Sequence, residues 1–273
     1  MRVPGRRSRD ASAYRATGPE EQEMRVAVAG GTGAVGRPVA EELAAAGHEP
    51  VVLARSRGVD LVSGAGLDAA LAGADAVIDV SNRSVLGRDK AVAFFGSVSR
   101  NLLDAGARAG VRHHLALSIV GVDGIGHGYY QGKLRQEEVV KGGQVPWTVL
   151  RATQFHEFVL QTLQQMPKRL AVVPRMNTQP VAAREVARHL VELVLAPPGG
   201  MAPELAGPRV EQLADLVRRL LEARHERRLV VPVRLPGTVG AAMAGDGQLP
   251  AGPGPRGTET FDEWLARTVA WGE

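Results

Sequence analysis

The chain has 273 residues, 44% hydrophobic and 23% charged, with no cysteine and a formal net charge of +4. That length buries a core without staples, and the missing cysteine excludes disulfides, thiolate nucleophiles and Cys-ligated zinc. The arginines are dispersed apart from "RRSR" and "RHERR", and 4% aromatics offers no stacking platform, so no nucleic-acid partner is expected.

Residues 1–23, rich in Arg, Ser, Gly and Glu, lack the apolar surface to offset the entropy of ordering and read as a disordered leader. They hold no apolar core of signal-peptide length. No later stretch reaches the roughly 20 apolar residues of a membrane span. The expectation is a soluble, cytoplasmic protein with no membrane partner.

From Met24 the pattern alternates between strand and helix. "MRVAVAG" reads as a strand buried on both faces, and "GRPVAEELAAAGH" as a helix closed by Gly47. The cycle repeats through strands "EPVVLAR", "DAVIDVS", "HHLALSIVGV" and "WTVLRAT", separated by helices "LDAALAG", "AVAFFGSVSRNLLDAGARAG" and "KLRQEEVVKGG". Such spacing specifies right-handed crossovers and an α/β fold with a doubly wound parallel sheet over 24–153. Beyond Thr153 the rhythm loosens. A helix at 155–166, a strand "RLAVV", helices at 182–195 and 211–224 and a final amphipathic turn "TFDEWLART" suggest a small lobe over 154–273, partly interleaved with the core.

Gly30, Gly33 and Gly36 stand at G-x-x-G-x-x-G spacing between the first strand and the first helix. In that context Gly30 permits the tight turn, Gly33 lets backbone N–H groups approach a pyrophosphate, and Gly36 lets the helix pack close to the sheet. Gly31, Thr32, Ala34 and Val35 complete the loop, whose helix N-terminus favours phosphate. The next strand ends in Arg55, Ser56 and Arg57 with no carboxylate, which favours NADP(H) over NAD(H). Asp60 and Leu61 are placed to frame an adenine, and Val80, Ser81 and Asn82 to meet the ribose, although a plain loop explains each equally.

A further strand ends at Ser118, and Tyr129 precedes Lys133 by four residues, so phenol and ammonium share one helix face. A nearby ammonium favours phenolate, suiting Tyr129 to proton transfer, with Ser118 hydrogen-bonding the substrate oxygen. Tyr130, three residues from Lys133, is the competing phenol.

On "GGTGAVG", "LSIVGVD", "YYQGKLRQEE" and "PWTVLRATQFHEF", residues 24–195 resemble the short-chain dehydrogenase/reductase superfamily, and more closely its atypical, NmrA-like NAD(P)-binding branch. The resemblance implies a Rossmann domain holding NADP(H), with Ser118, Tyr129 and Lys133 at the catalytic positions and Lys133 also at the cofactor. It further implies that Arg151 to His156 lie near nicotinamide and substrate, with Ala152 and Thr153 on the cofactor side and Gln154, Phe155 and His156 towards the substrate. Many NmrA-like members lack the tyrosine, and some sense redox state without turnover.

His156 is also explained by capping or by the core edge, and His113 and His114 lie at the opposite end of the sheet, where a structural role is expected. The seven histidines show no metal-ligand spacing, so no metal is expected. The Gly/Pro-rich stretch 235–257 suits either a flap over an apolar pocket or disorder. Together these features predict an NADPH-dependent oxidoreductase reducing a carbonyl, quinone or activated double bond of a small apolar molecule. The alternatives are a non-catalytic NADP(H)-binding sensor and an isomerase or dehydratase with tightly held cofactor. Helix 91–110 is compatible with either a monomer or a homodimer.

Overall fold

A computed structural model describes residues 23–83, 87–126 and 128–270; the expected leader lies outside them apart from Glu23. The chain opens with β1 (Arg25–Ala29), α1 (Gly36–Ala45), β2 (Glu49–Leu53), α2 (Leu67–Leu71), β3 (Ala76–Asp79), α3 (Arg88–Ala109), β4 (His113–Ile119), α4 (Gly128–Lys141) and β5 (Trp147–Ala152). It continues through α5 (Glu157–Gln164), β6 (Leu170–Pro174), β7 (Asn177–Thr178), α6 (Ala183–Leu195), β8 (Gly200–Met201), β9 (Glu211–Gln212), α7 (Leu213–Ala223), β10 (Leu229–Val233), α8 (Gly237–Ala244) and α9 (Phe261–Ala270).

Six strands form one parallel sheet in the order β2-β1-β3-β4-β5-β8. Both faces are covered, which is why the strands read as continuous apolar runs. Val26, Val28, Ile78, Leu115 and Leu150 meet α1 and α6 on one face; Ala27, Val77, Ala116 and Val149 meet α2, α3 and α4 on the other. Chain order reverses between β1 and β3, opening a crevice at the strands' carboxyl ends, where ligands bind in sheets of this kind.

The glycine loop sits in that crevice. Gly30 has φ +80, and a side chain there would come within 2.8 Å of the Ser81 backbone. At Gly36 a Cβ would meet Gly30 O at 2.2 Å, so the first turn of α1 lies directly on the loop. Gly33 is less crowded, with Gly30 O at 3.2 Å as its nearest neighbour.

Beyond β5 the lobe has its own core, in which Val159, Leu163, Ala171, Val173, Leu216, Val217, Phe261 and Trp264 are buried together. Helix α6 leaves the lobe to pack on the main sheet. Strand β10 was not expected from the sequence: "LVVPV" lies just past an arginine cluster, and its parallel partner β6 is about sixty positions earlier. The 235–257 stretch contains helix α8, whose Val239 and Ala242 pack on Ile119, Val122, Ile125, Tyr129 and Tyr130.

Replacing Gly36 with Ala should therefore cost about 1–3 kcal/mol through overpacking, whereas Gly33→Ala should cost under about 0.5 kcal/mol. Urea denaturation of the two variants checks the ranking, and equal losses would contradict the close approach at Gly36.

Candidate functional site

Residues 32–34 present exposed backbone at the mouth of the crevice. Helix α1 carries no side-chain cap and no acidic residue in its first turn. The Arg37 N–H is taken by Gly33 O at 3.2 Å and Pro38 has none, so the helix offers an anion its partial positive charge together with the N–H groups of the loop itself. Ser81, against which Gly30 packs, keeps its Oγ buried and without a partner among the described residues. An uncapped helix end, a backbone-only loop and an orphaned hydroxyl fit a dinucleotide.

At the end of β2, Arg55, Ser56 and Arg57 are all exposed. Among the described residues neither guanidinium forms an ion pair. Asp60 instead closes its own turn: Oδ1 accepts the N–H groups of Val62 at 2.8 Å and Ser63 at 3.1 Å. The N–H groups of Ser63 and Val62 hold its carboxyl below the usual range. Leu61 packs against the core and its carbonyl accepts from Asn101 at 3.0 Å, tying the turn to α3.

Helix α4 begins early enough to include both tyrosines. The Tyr129 hydroxyl donates to Asn82 Oδ1 at 3.0 Å, bringing that phenol to the end of β3 across 47 positions. Its ring stands edge-on to Phe95. Tyr130 is buried, accepts from Gln248 Nε2 of the lobe and is pushed up to about 12 by burial. Gln154 Oε1 accepts from Thr178 at 2.7 Å, while its Nε2 is buried with no partner among the described residues.

Two expectations change here. The ammonium of Lys133 does not bond the phenol; it donates to Leu117 O at 2.6 Å and to Gln136 Oε1. Burial, reinforced by neighbouring Tyr130 and only partly offset by Asn82, raises Tyr129 above its ordinary value, so the group is a neutral acid and not a phenolate. Likewise the Ser118 hydroxyl donates to Glu137 Oε1 at 2.6 Å instead of pointing a proton at a ligand. Glu137 also accepts from Arg151 Nε at 2.8 Å and Lys141 Nζ at 3.0 Å. Burial pushes Glu137 upward, but the bonds from Arg151, Ser118 and Lys141 outweigh it and keep the carboxylate ionised.

Residues 30–197, from the glycine loop to the end of α6, match a protein family described as NAD(P)H-binding. The chain belongs to this family. A curated relative, the (4-alkanoyl-5-oxo-2,5-dihydrofuran-3-yl)methyl phosphate reductase of Streptomyces griseus subsp. griseus, is 33% identical over 217 residues, covering 71% of this chain and 73% of the relative. Among solved structures, an NADPH-dependent quinone oxidoreductase of Escherichia coli complexed with NADPH has a TM-score of 0.63 at 18% identity, covering 89% of this chain and 99% of that one. A short-chain dehydrogenase/reductase superfamily protein of Agrobacterium tumefaciens with bound NAD has a TM-score of 0.63 at 17% identity, covering 90% and 96%. At those identities the structures show a shared fold, with cofactors of both kinds among the neighbours. No helix among the described residues is long and apolar enough to cross a membrane.

Within the family domain, Val80 and Asn82 flank Ser81 at the crevice, while Ala152 and Thr153 are buried where β5 ends. Thr153 donates to Gln179 O at 2.6 Å. Phe155 packs on the core. His156 is corrected from a candidate substrate contact to a core residue: it is 0% exposed, its Nε2 lies 3.2 Å from Glu259 O, and its ring packs beside Phe261 and Trp264. His113 bridges Val194 O and Thr148 Oγ1, the structural role expected of it. The residues missed from the sequence are Asp79, Gln136 and Glu137, all at most 1% exposed. Their signal was three polar side chains in otherwise apolar rows, one at a strand end and two following Lys133 on its helix.

His156 is held down to about 4 by burial, against about 6.5 in an unfolded chain. As pH falls through that window the unfolded state takes up a proton that the folded state refuses. Stability present above about pH 6.5 is thus lost towards pH 4, by ~3 kcal/mol from this residue. His156→Gln should flatten the loss, measured as the difference in unfolding free energy between pH 7 and pH 4.5; an unchanged slope would show that His156 does not titrate this way.

Proposed function

We propose that the protein is an NADPH-dependent reductase acting on a conjugated double bond or carbonyl of a small, largely apolar molecule. The observation that carries this reading is a phenol, Tyr129, bonded at the end of β3 to Asn82, the neighbour of the Ser81 on which the glycine loop packs, and raised by burial into a neutral acid one turn before the buried Lys133. Reduction needs a proton donor, and a phenol kept protonated by burial is one. Bound NADPH would supply the hydride. Tyr129 then protonates the substrate oxygen that gains electron density, that oxygen replacing Asn82 as the acceptor of its hydrogen bond. Ser118, its O–H donated to the Glu137 carboxylate, offers a ligand lone pairs only, and Tyr130 is held by Gln248 under the lobe.

The name of the curated relative supports the substrate class, since a 4-alkanoyl-5-oxo-2,5-dihydrofuran carries a ring double bond conjugated to carbonyls. The apolar cap of Val239 and Ala242 over the two tyrosines suits such a molecule. Preference for NADPH is supported by Arg55 and Arg57 at the end of β2, with the nearest carboxylate, Asp60, turned onto its own loop.

Mixing the protein with NADPH and a panel of butenolides, enones, quinones and aldehydes should show turnover that Tyr129→Phe reduces by about 100-fold or more, with the Kd for NADPH unchanged. Tight NADPH binding without turnover of any member would instead establish a sensor. Arg55→Ala should weaken NADPH by about tenfold or more through loss of a charge-assisted bond and leave NADH untouched; wild-type protein that prefers NADH would remove the role given to Arg55.

A further inference from the structure

Asp79 is 0% exposed at the end of β3, in register with Ala29 of β1 and Ala116 of β4 in the apolar layer under α3 and α4. A carboxylate in such a place costs several kcal/mol unless its oxygens are matched, and both are. Oδ1 accepts the Ser81 N–H at 2.9 Å; Oδ2 accepts Gln136 Nε2 at 2.7 Å. The other end of the Gln136 amide accepts from Lys133 Nζ.

The order of these groups leaves one arrangement. An amide between a carboxylate and an ammonium must turn its NH2 to the former and its carbonyl to the latter, because the reverse sets acceptor against acceptor and donor against donor. Asp79 therefore orients Gln136, and Gln136 orients Lys133. Leu117 O takes a second N–H of the ammonium at 2.6 Å, and the Phe95 ring of α3 lies 4.8 Å from it. One N–H is left for a ligand.

We propose that Asp79, acting through Gln136, is the positioning residue that fixes Lys133 in the site and sustains its positive charge. The proposal rests on the reading that Lys133 works at the cofactor and substrate cleft. The charges acting on Lys133 are Asp79 from β3 and Glu137 from its own helix; Tyr129 lies one turn earlier on α4, Phe95 of α3 is uncharged, and His114 of β4 faces Asp79. Burial brings Lys133 down to about 8, opposed first by Asp79 and then by Glu137. His114, held near 4 by burial, is neutral at physiological pH and adds no charge. The same carboxylate holds the Ser81 backbone on which Gly30 rests, so one buried group ties the ammonium to the glycine loop.

The chain has four lysines, so 15N-lysine labelling gives a resolvable Nζ titration for each, with Lys133 assigned by loss of its signal in Lys133→Met. In Asp79→Asn, and separately in Gln136→Leu, Lys133 should titrate lower by about one unit or more, with Lys90, Lys141 and Lys168 unmoved. The alkaline limb of NADPH binding against pH should shift down by the same amount. Lys133 titrating as in wild type in the variants that fold, judged by near-UV circular dichroism, overturns the proposal. Because the readout needs no turnover, a shifted Lys133 in a protein that reduces nothing sustains the positioning role and defeats the reductase reading. An unmoved Lys133 in an active reductase does the reverse.

Discussion

The structure depends on a contact made of backbone alone, where the loop after β1 is pressed between the first turn of α1 and the turn after β3. A side chain at Gly30 or Gly36 would overlap Ser81 or the Gly30 carbonyl. With no side chains in the way, α1 points its bare N-terminus across the sheet's carboxyl edge, at the reversal of strand order. This is where helix polarity and the backbone of the glycine loop together attract an anion. Loop and crevice are one consequence of that packing.

Beneath α4 the same edge carries an unusual cost. Two carboxylates, Asp79 and Glu137, are enclosed with Lys133, Gln136 and Ser118 against a layer of Ala, Val and Leu. Each is tolerated because its oxygens are matched, Asp79 by the Ser81 N–H and Gln136, Glu137 by Ser118, Arg151 and Lys141. Removing one partner from such a network leaves a buried charge exposed to the full desolvation penalty. The network also divides the labour among the polar residues of the site. Ser118 and Lys133 are bound inward, whereas Tyr129 shares its proton only with an exposed asparagine, a partner that a ligand can displace.

The lobe closes the other side. Its core is separate from that of the sheet, yet Gln248 reaches back to Tyr130 and α8 lays an apolar surface over both tyrosines. Tyr130 thereby joins lobe to sheet, while Tyr129, one position earlier on the helix, reaches the end of β3. Adjacent residues of one type are separated by the direction in which the helix turns them.

The alternation of apolar runs with helical spacing made the parallel sheet legible, since strands covered on both faces admit little else, and the glycine spacing marked the loop because only backbone fits there. Tyr129 and Lys133 could be found from i, i+4 spacing, which is a local property of a helix. What sequence could not supply was the identity of each hydrogen-bond partner. Lys133 could bond the phenol or the Gln136 carbonyl, Ser118 could face a ligand or Glu137, and His156 could line a cleft or fill an aromatic core. β10 escaped notice because its partner is remote. Local periodicity and steric necessity thus determined the fold and the nucleotide loop. The burial of Asp79 and Glu137, and with it the protonation and orientation of the site, was decided only when tertiary packing brought distant side chains into a space from which water is excluded.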